Sequence, residues 1–153
     1  ALALQTDKIK IAIEKTNQEI PSVNICLEDG TWSGLTFHGV PGGHEFTSFI
    51  LGIYNVAGPG QKIEQTYLER IDKINKEIII KIIVSLSCTM CPELVTSAQR
   101  IASLNKQITT EVYDIQHFKQ LKDQYQIMSV PCMVINDQKV VWKKEYRTNF
   151  RNH

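Results

Sequence analysis

The chain lacks any apolar run long enough to cross a bilayer. Its densest stretch, Ile78-Ile79-Ile80, is broken at Lys81, whereas a spanning helix needs about 20 apolar residues. No membrane partner is therefore expected. It also lacks an excess of charge: 17 Lys and Arg face 16 Asp and Glu, for a net charge of +1. That excludes a basic stripe for nucleic acid and an acidic interaction tail. Cysteine is sparse, with 4 in 153 residues, too few for a disulfide-built scaffold in a chain large enough to need none. No Gly-x-Gly-x-x-Gly stretch is present, so no flavin or nicotinamide of its own is expected. Ala1-Leu2-Ala3-Leu4 lacks the basic start and long apolar stretch of a secretory leader, and a cytoplasmic location is expected. What remains, 42% apolar and 22% charged residues, is ordinary for a soluble domain, or for two small ones fused.

Periodicity organises the chain. Lys8 to Lys15 alternates, with Ile9, Ile11 and Ile13 on one face, and predicts a half-buried strand. Val23, Ile25 and Leu27 predict a second, with Cys26 on its other face, and Leu35 to Val40 a third. A helix is expected from Glu45 to Ala57, burying Phe46, Phe49, Ile50, Ile53 and Ala57, and ending at Gly58-Pro59-Gly60. A second should run from Lys62 to Asn75 on Ile63, Tyr67, Ile71 and Ile74. Glu77 to Leu86 has no alternation and reads as a central strand covered on both faces. Pro92 opens a helix on Leu94, Val95, Ala98, Ile101 and Ala102. A strand at Ile108 to Ile115 and a short helix at His117 to Tyr125 follow. A hairpin then turns at Asn136-Asp137 and reaches Trp142. The order strand–CxxC–helix–strand–helix–proline–strand–strand is that of thioredoxin without its closing helix. Val40-Pro41 and Val130-Pro131 suggest that the two halves end alike.

The chemistry is carried by Cys88-Thr89-Met90-Cys91. Thiol–disulfide exchange needs an attacking thiolate, a second thiol to resolve the mixed disulfide, and access. Cys88 lies where free N–H groups and the helix dipole favour an anion, so its pKa should fall from about 8.5 toward neutrality. Cys88 reads as the nucleophile and Cys91, one turn on, as the resolving thiol. The plainer alternative is a zinc site completed by His38, His44 or Cys132, but their spacing matches no zinc motif. Val130-Pro131 is a candidate cis-proline loop facing the CxxC, with the Val130 backbone open to an incoming peptide strand. The alternative there is a trans proline starting an edge strand. Cys132 reads as a small buried hydrophobe, or else as a third redox thiol. Cys26 reads as structural.

Ser85-Leu86-Ser87-Cys88-Thr89-Met90-Cys91-Pro92 resembles the Ser-Leu-Ser-Cys-x-x-Cys-Pro signature of one family, the N-terminal domain of the flavoprotein subunit of bacterial alkyl hydroperoxide reductase. Gly43-His44-Glu45-Phe46-Thr47-Ser48, Ser103-Leu104-Asn105 and Met128-Ser129-Val130-Pro131 are similar to further segments of it, and the resemblance covers about residues 6 to 142. It implies an α/β thioredoxin-like fold of two fused halves around a mixed sheet flanked by helices. Residues 1–76 would be a truncated half without redox cysteines, and 77–153 the half with the CxxC. It implies a thiol–disulfide oxidoreductase that cannot draw on NADH alone. Electrons would come from a flavin-linked disulfide reductase domain or protein and pass to a peroxiredoxin disulfide. It adds Glu45 as a candidate beside the thiols, either tuning their pKa and relaying protons or merely favouring the helix dipole. Thr89 and Met90 would touch the partner. The first strand and helix of the family's first half, and the closing helix of the second, have no counterpart here. Cys132 replaces a small non-thiol residue. Two other readings stand beside this one: a general protein disulfide reductase, and a docking module whose CxxC binds zinc.

Overall fold

A computed structural model describes residues 6–140. The Ile/Val run Ile78–Val84 (β3) lies inside a six-stranded sheet, as its lack of alternation requires. Its companions are Ser22–Cys26 (β1), Trp32–His38 (β2), Ile108–Asp114 (β4), Cys132–Ile135 (β5) and Gln138–Val140 (β6), in the order β1-β2-β4-β3-β5-β6. The helices are Glu45–Ala57 (α1), Gln65–Asp72 (α2), Cys91–Leu104 (α3) and Gln120–Gln124 (α4). β2, β4 and β3 run parallel; β1, β5 and β6 each run antiparallel to their neighbours. The C-terminal ends of β2, β3 and β4 and the start of β5 therefore share one end of the sheet. The loops that follow or precede them meet there.

Period-two alternation assigns the faces. Leu35, Phe37, Ile80, Ile82, Val84, Ile108 and Val112 pack against Cys91, Val95, Ala98 and Ala102 of α3. Each fully buried side chain of Val, Leu, Ile or Phe size contributes about 1.5–3 kcal/mol. On the other face Ile83, Cys132 and Val134 meet Leu121, Tyr125 and Ile127. The β5–β6 turn is closed by Asn136 and Asp137 at φ 48° and 64°, the left-handed pair of a two-residue hairpin loop. The expected extension to Trp142 lies outside the described residues.

Several expectations are corrected. Residues 8–15 form no strand, and Ile11 and Ile13 are 66% and 87% exposed. Alternation supplies a face, but a strand also needs a backbone neighbour. Among the described residues β1 pairs only with β2, and nothing pairs with 8–15. β2 starts and ends earlier than expected, at Trp32 and His38. α2 and α4 are shorter than their periodic patterns, and Tyr67 is exposed. Cys26 is exposed on the edge strand rather than packed inside. The two Val-Pro pairs are not equivalent: Val40-Pro41 follows β2, whereas Val130-Pro131 precedes β5 and alone is cis among the described residues.

The largest departure is α1. Its bounds are as expected, but its buried face is Glu45, Ser48, Gly52 and Asn55, while Phe46 is 49% exposed. The helix packs on α3, and closeness decides the face. A Cβ on Gly52 would lie 3.1 Å from Ile25 Cδ1 and 3.2 Å from Gln99 Oε1. Only the small-residue side of α1 can come that near.

Candidate active site at the CxxC

The site is built where β3 hands over to α3. After Val84 the chain turns, with the Cys88 N–H donating to the Ser85 carbonyl at 3.0 Å. α3 begins at Cys91, carries Pro92 in its first turn, and has no side-chain cap on its N-terminal N–H groups. Those free donors leave a favourable place for negative charge beside the thiols. Cys88 is half-buried and Cys91 fully buried; both are free thiols. The Val130-Pro131 loop reaches the pair from the other side, as expected, and the Val130 carbonyl lies 3.9 Å from Cys88 Sγ.

Burial pushes the Cys91 thiol far above the ordinary cysteine range, and the neighbouring Cys88 thiol and Glu45 carboxylate act in the same direction. Glu45 itself has no exposed surface. Neither carboxylate oxygen has a hydrogen-bond partner. Burial raises its pKa, and the nearby Ser48 hydroxyl offsets only part of that rise. An unpaired buried carboxylate is costly, so the protonated form is favoured. The arrangement thus holds a removable proton next to a buried thiol.

Gly43 brings Glu45 there. At φ +54° it presses on the CxxC strand so closely that a Cβ would lie 2.5 Å from the Leu86 carbonyl oxygen. His44 N–H donates to that same oxygen at 2.9 Å. The start of α1 is thereby pinned to the segment leading into the CxxC.

Around Cys88 the surface is apolar and open: Met90 is 42% exposed, Val40 60% and Met128 93%, with Thr89 and Ser129 exposed between them. Sequence reasoning singled out Met90 but not Val40 or Met128. Those two reach the site only because the strand ends converge. Cys132 is buried in the smaller core, where burial raises its pKa. His38 is not drawn to the thiols. It meets Glu111 at 2.8 Å and stacks on Tyr113 with ring centroids 4.2 Å apart. The His38–Glu111 pair spans 73 residues of chain and left no sequence signal. Among the described residues, no group of three His, Cys, Asp or Glu side chains is placed to hold a metal ion. No described helix is long and apolar enough to cross a membrane.

A thioredoxin domain family matches residues 78–143. With the mixed sheet, the CxxC at a helix start and the cis-proline opposite, the chain is a thioredoxin-like domain of the thiol–disulfide oxidoreductase class. The alkyl hydroperoxide reductase flavoprotein AhpF of Pseudomonas aeruginosa is 34% identical over 131 residues, 86% of this chain and 25% of that protein. A protein named NADH dehydrogenase from Ferdinandcohnia aciditolerans is 36% identical over 128 residues, 83% of this chain and 24% of its own length. The crystal structure of the NTD_N/C domain of alkylhydroperoxide reductase AhpF from Enterococcus faecalis (V583) superposes with a TM-score of 0.76 at 41% identity, over 86% of this chain and 62% of that one. The chain belongs to the family of the AhpF N-terminal domain. It spans about a quarter of the length of these curated relatives.

Proposed function

We propose that the chain is an electron-transfer module that takes electrons from a flavin-linked disulfide reductase and passes them to a peroxiredoxin disulfide. One observation carries this reading. A half-buried Cys88 thiol lies 3.9 Å from the carbonyl of a cis-proline loop, with Cys91 buried one step behind it. The Cys88 thiolate attacks a partner disulfide. The new S–S bond forms as the partner's own breaks, and the departing sulfur takes up a proton. Cys91 then loses its proton, attacks Cys88 Sγ and releases the second partner thiol. The dithiol gives up two electrons and two protons, and the partner disulfide gains both. Glu45 is suited to accept the Cys91 proton, because burial raises its carboxyl toward the pH where such transfer is effective.

In this reading Thr89, Met90, Val130 and Pro131 receive the partner peptide. The redox-active group is the Cys88/Cys91 pair itself, and flavin sits on a partner domain or protein, since no dinucleotide fingerprint lies in this sequence. A dithiol fed in this way suits the reducing cytoplasm. Residues 1–76 and 77–153 are read as two thioredoxin-type halves sharing one sheet.

The experiment reduces Cys91→Ser, offers it to whole-cell extract and identifies by mass spectrometry what stays linked to Cys88. A trapped peroxiredoxin supports the reading. A spread of unrelated proteins replaces it with a general disulfide reductase. No adduct, with Cys88 slow to alkylate at neutral pH, refutes the redox role.

A further inference from the structure

Beside the cis-proline loop lies an open groove of about 390 Å³, lined by Ile115, Lys119, Lys122, Ile127, Met128 and Val130 among others, none of them acidic. It is fastened to both loops of the candidate site. Ile115 N–H donates to the Val84 carbonyl at 2.9 Å, where β3 ends before the CxxC. Ile127 N–H donates to the Lys122 carbonyl at 2.9 Å, which ties the loop leading to Val130 onto α4. Lys122 N–H donates to the Lys119 carbonyl at 3.1 Å, so both lysines sit on one turn. Neither lysine makes an ion pair among the described residues, where only His38–Glu111 and Lys81–Asp137 pair. The nearby Asp114 is buried and turned inward, its carboxylate accepting the Gln116 N–H at 3.0 Å. Asp123 does not line the groove.

We propose that this groove is a specificity subsite for an acidic, extended segment of the redox partner, flanking the partner's disulfide cysteine. An apolar side chain would rest on Ile115, Ile127 and Met128, and a carboxylate would meet Lys119 and Lys122. The inference rests on the electron-transfer reading, in which Cys88 attacks that cysteine. Charge complementarity selects the occupant. Two exposed cations over an apolar floor favour a segment with both an apolar and an anionic side chain, and disfavour a basic or neutral one. Because these are solvent-exposed charges, their effect should be modest and salt-sensitive.

The test uses synthetic peptides, each with one cysteine held as a mixed disulfide with mercaptoethanol. A glutamate is stepped along the peptide on either side of the cysteine, and each peptide is paired with its glutamine counterpart. Reduction by the reduced full chain is timed at low and high salt. The same is done with Lys119→Gln/Lys122→Gln and with Lys119→Arg/Lys122→Arg. Hydroxyethyl disulfide, small and neutral, reports Cys88 reactivity alone. The expected result is a preference of about fivefold for glutamate at one register, lost in high salt and in the glutamine variant, and kept in the arginine variant. Hydroxyethyl disulfide should react equally with all three proteins. Equal rates for glutamate and glutamine peptides at every register, with hydroxyethyl disulfide still reduced, overturn the subsite and leave the redox reading intact. Failure to reduce hydroxyethyl disulfide overturns both.

Discussion

Glu45→Gln should change how stability depends on pH, with a slope that can be worked in advance. In the unfolded chain a glutamate ionises near its ordinary value of about 4.3. In the folded chain Glu45 is fully buried without a hydrogen-bond partner, and burial raises its pKa. Between those two values the native state keeps a proton that the unfolded state has lost. Stability is therefore complete below the ordinary value, falls as pH rises, and levels off once the native carboxyl also ionises. The slope is one proton's worth, about 1.4 kcal/mol per pH unit. With a urea m-value of about 2 kcal/mol per molar, the midpoint should drop by about 0.7 M per unit in that window. Glutamine keeps the shape and cannot ionise. Its curve should match the parent in acid and lie above it at neutral pH and beyond. The assay is urea unfolding of the reduced protein, parent and variant, from acid to mildly alkaline pH. Thiol titrations are common to both and cancel in the difference, apart from a smaller effect on Cys91, whose pKa Glu45 raises. Parallel curves across the whole range would refute the account of Glu45 as a buried carboxyl that keeps its proton.

Gly43→Ala must place a Cβ 2.5 Å from the Leu86 carbonyl at a left-handed φ of +54°, so it should cost about 2–4 kcal/mol and lower the melting temperature by about 5–15 °C, read by thermal denaturation. In brief alkylation of the native, reduced protein, mapped by peptide mass spectrometry, label should enter Cys26 and Cys88 and reach Cys91 and Cys132 only after unfolding, because the latter two are 0% and 6% exposed.

Legibility in the sequence followed the range of the forces involved. The bounds of α1 could be read because glycines flank it on both sides. Its buried face could not, because Gly52 meets Ile25 and Gln99, so that three separate elements decide it. Alternation at Ile9, Ile11 and Ile13 was as clear as that of β4, yet only β4 has strands on both sides to take its backbone groups. Phe46 looks like core in one dimension and stands half in solvent in three. Glu45 entered the sequence reading only through a family resemblance; its burial and lack of partners come from how Gly43 seats α1.

The sequence by itself determined the CxxC, the helix that starts on it, the central strand before it and the proline loop after α4. Each rests on neighbours within a few residues, through spacing, β-branching and the fixed φ of proline. Only the tertiary structure decided that Val130 faces Cys88, that Glu45 lies unpartnered beside Cys91, and that Lys119 and Lys122 overlook a groove at the same end of the sheet. These groups are far apart in the chain. They meet because β2, β3 and β4 run parallel and β5 runs against them, which gathers their loops at one edge.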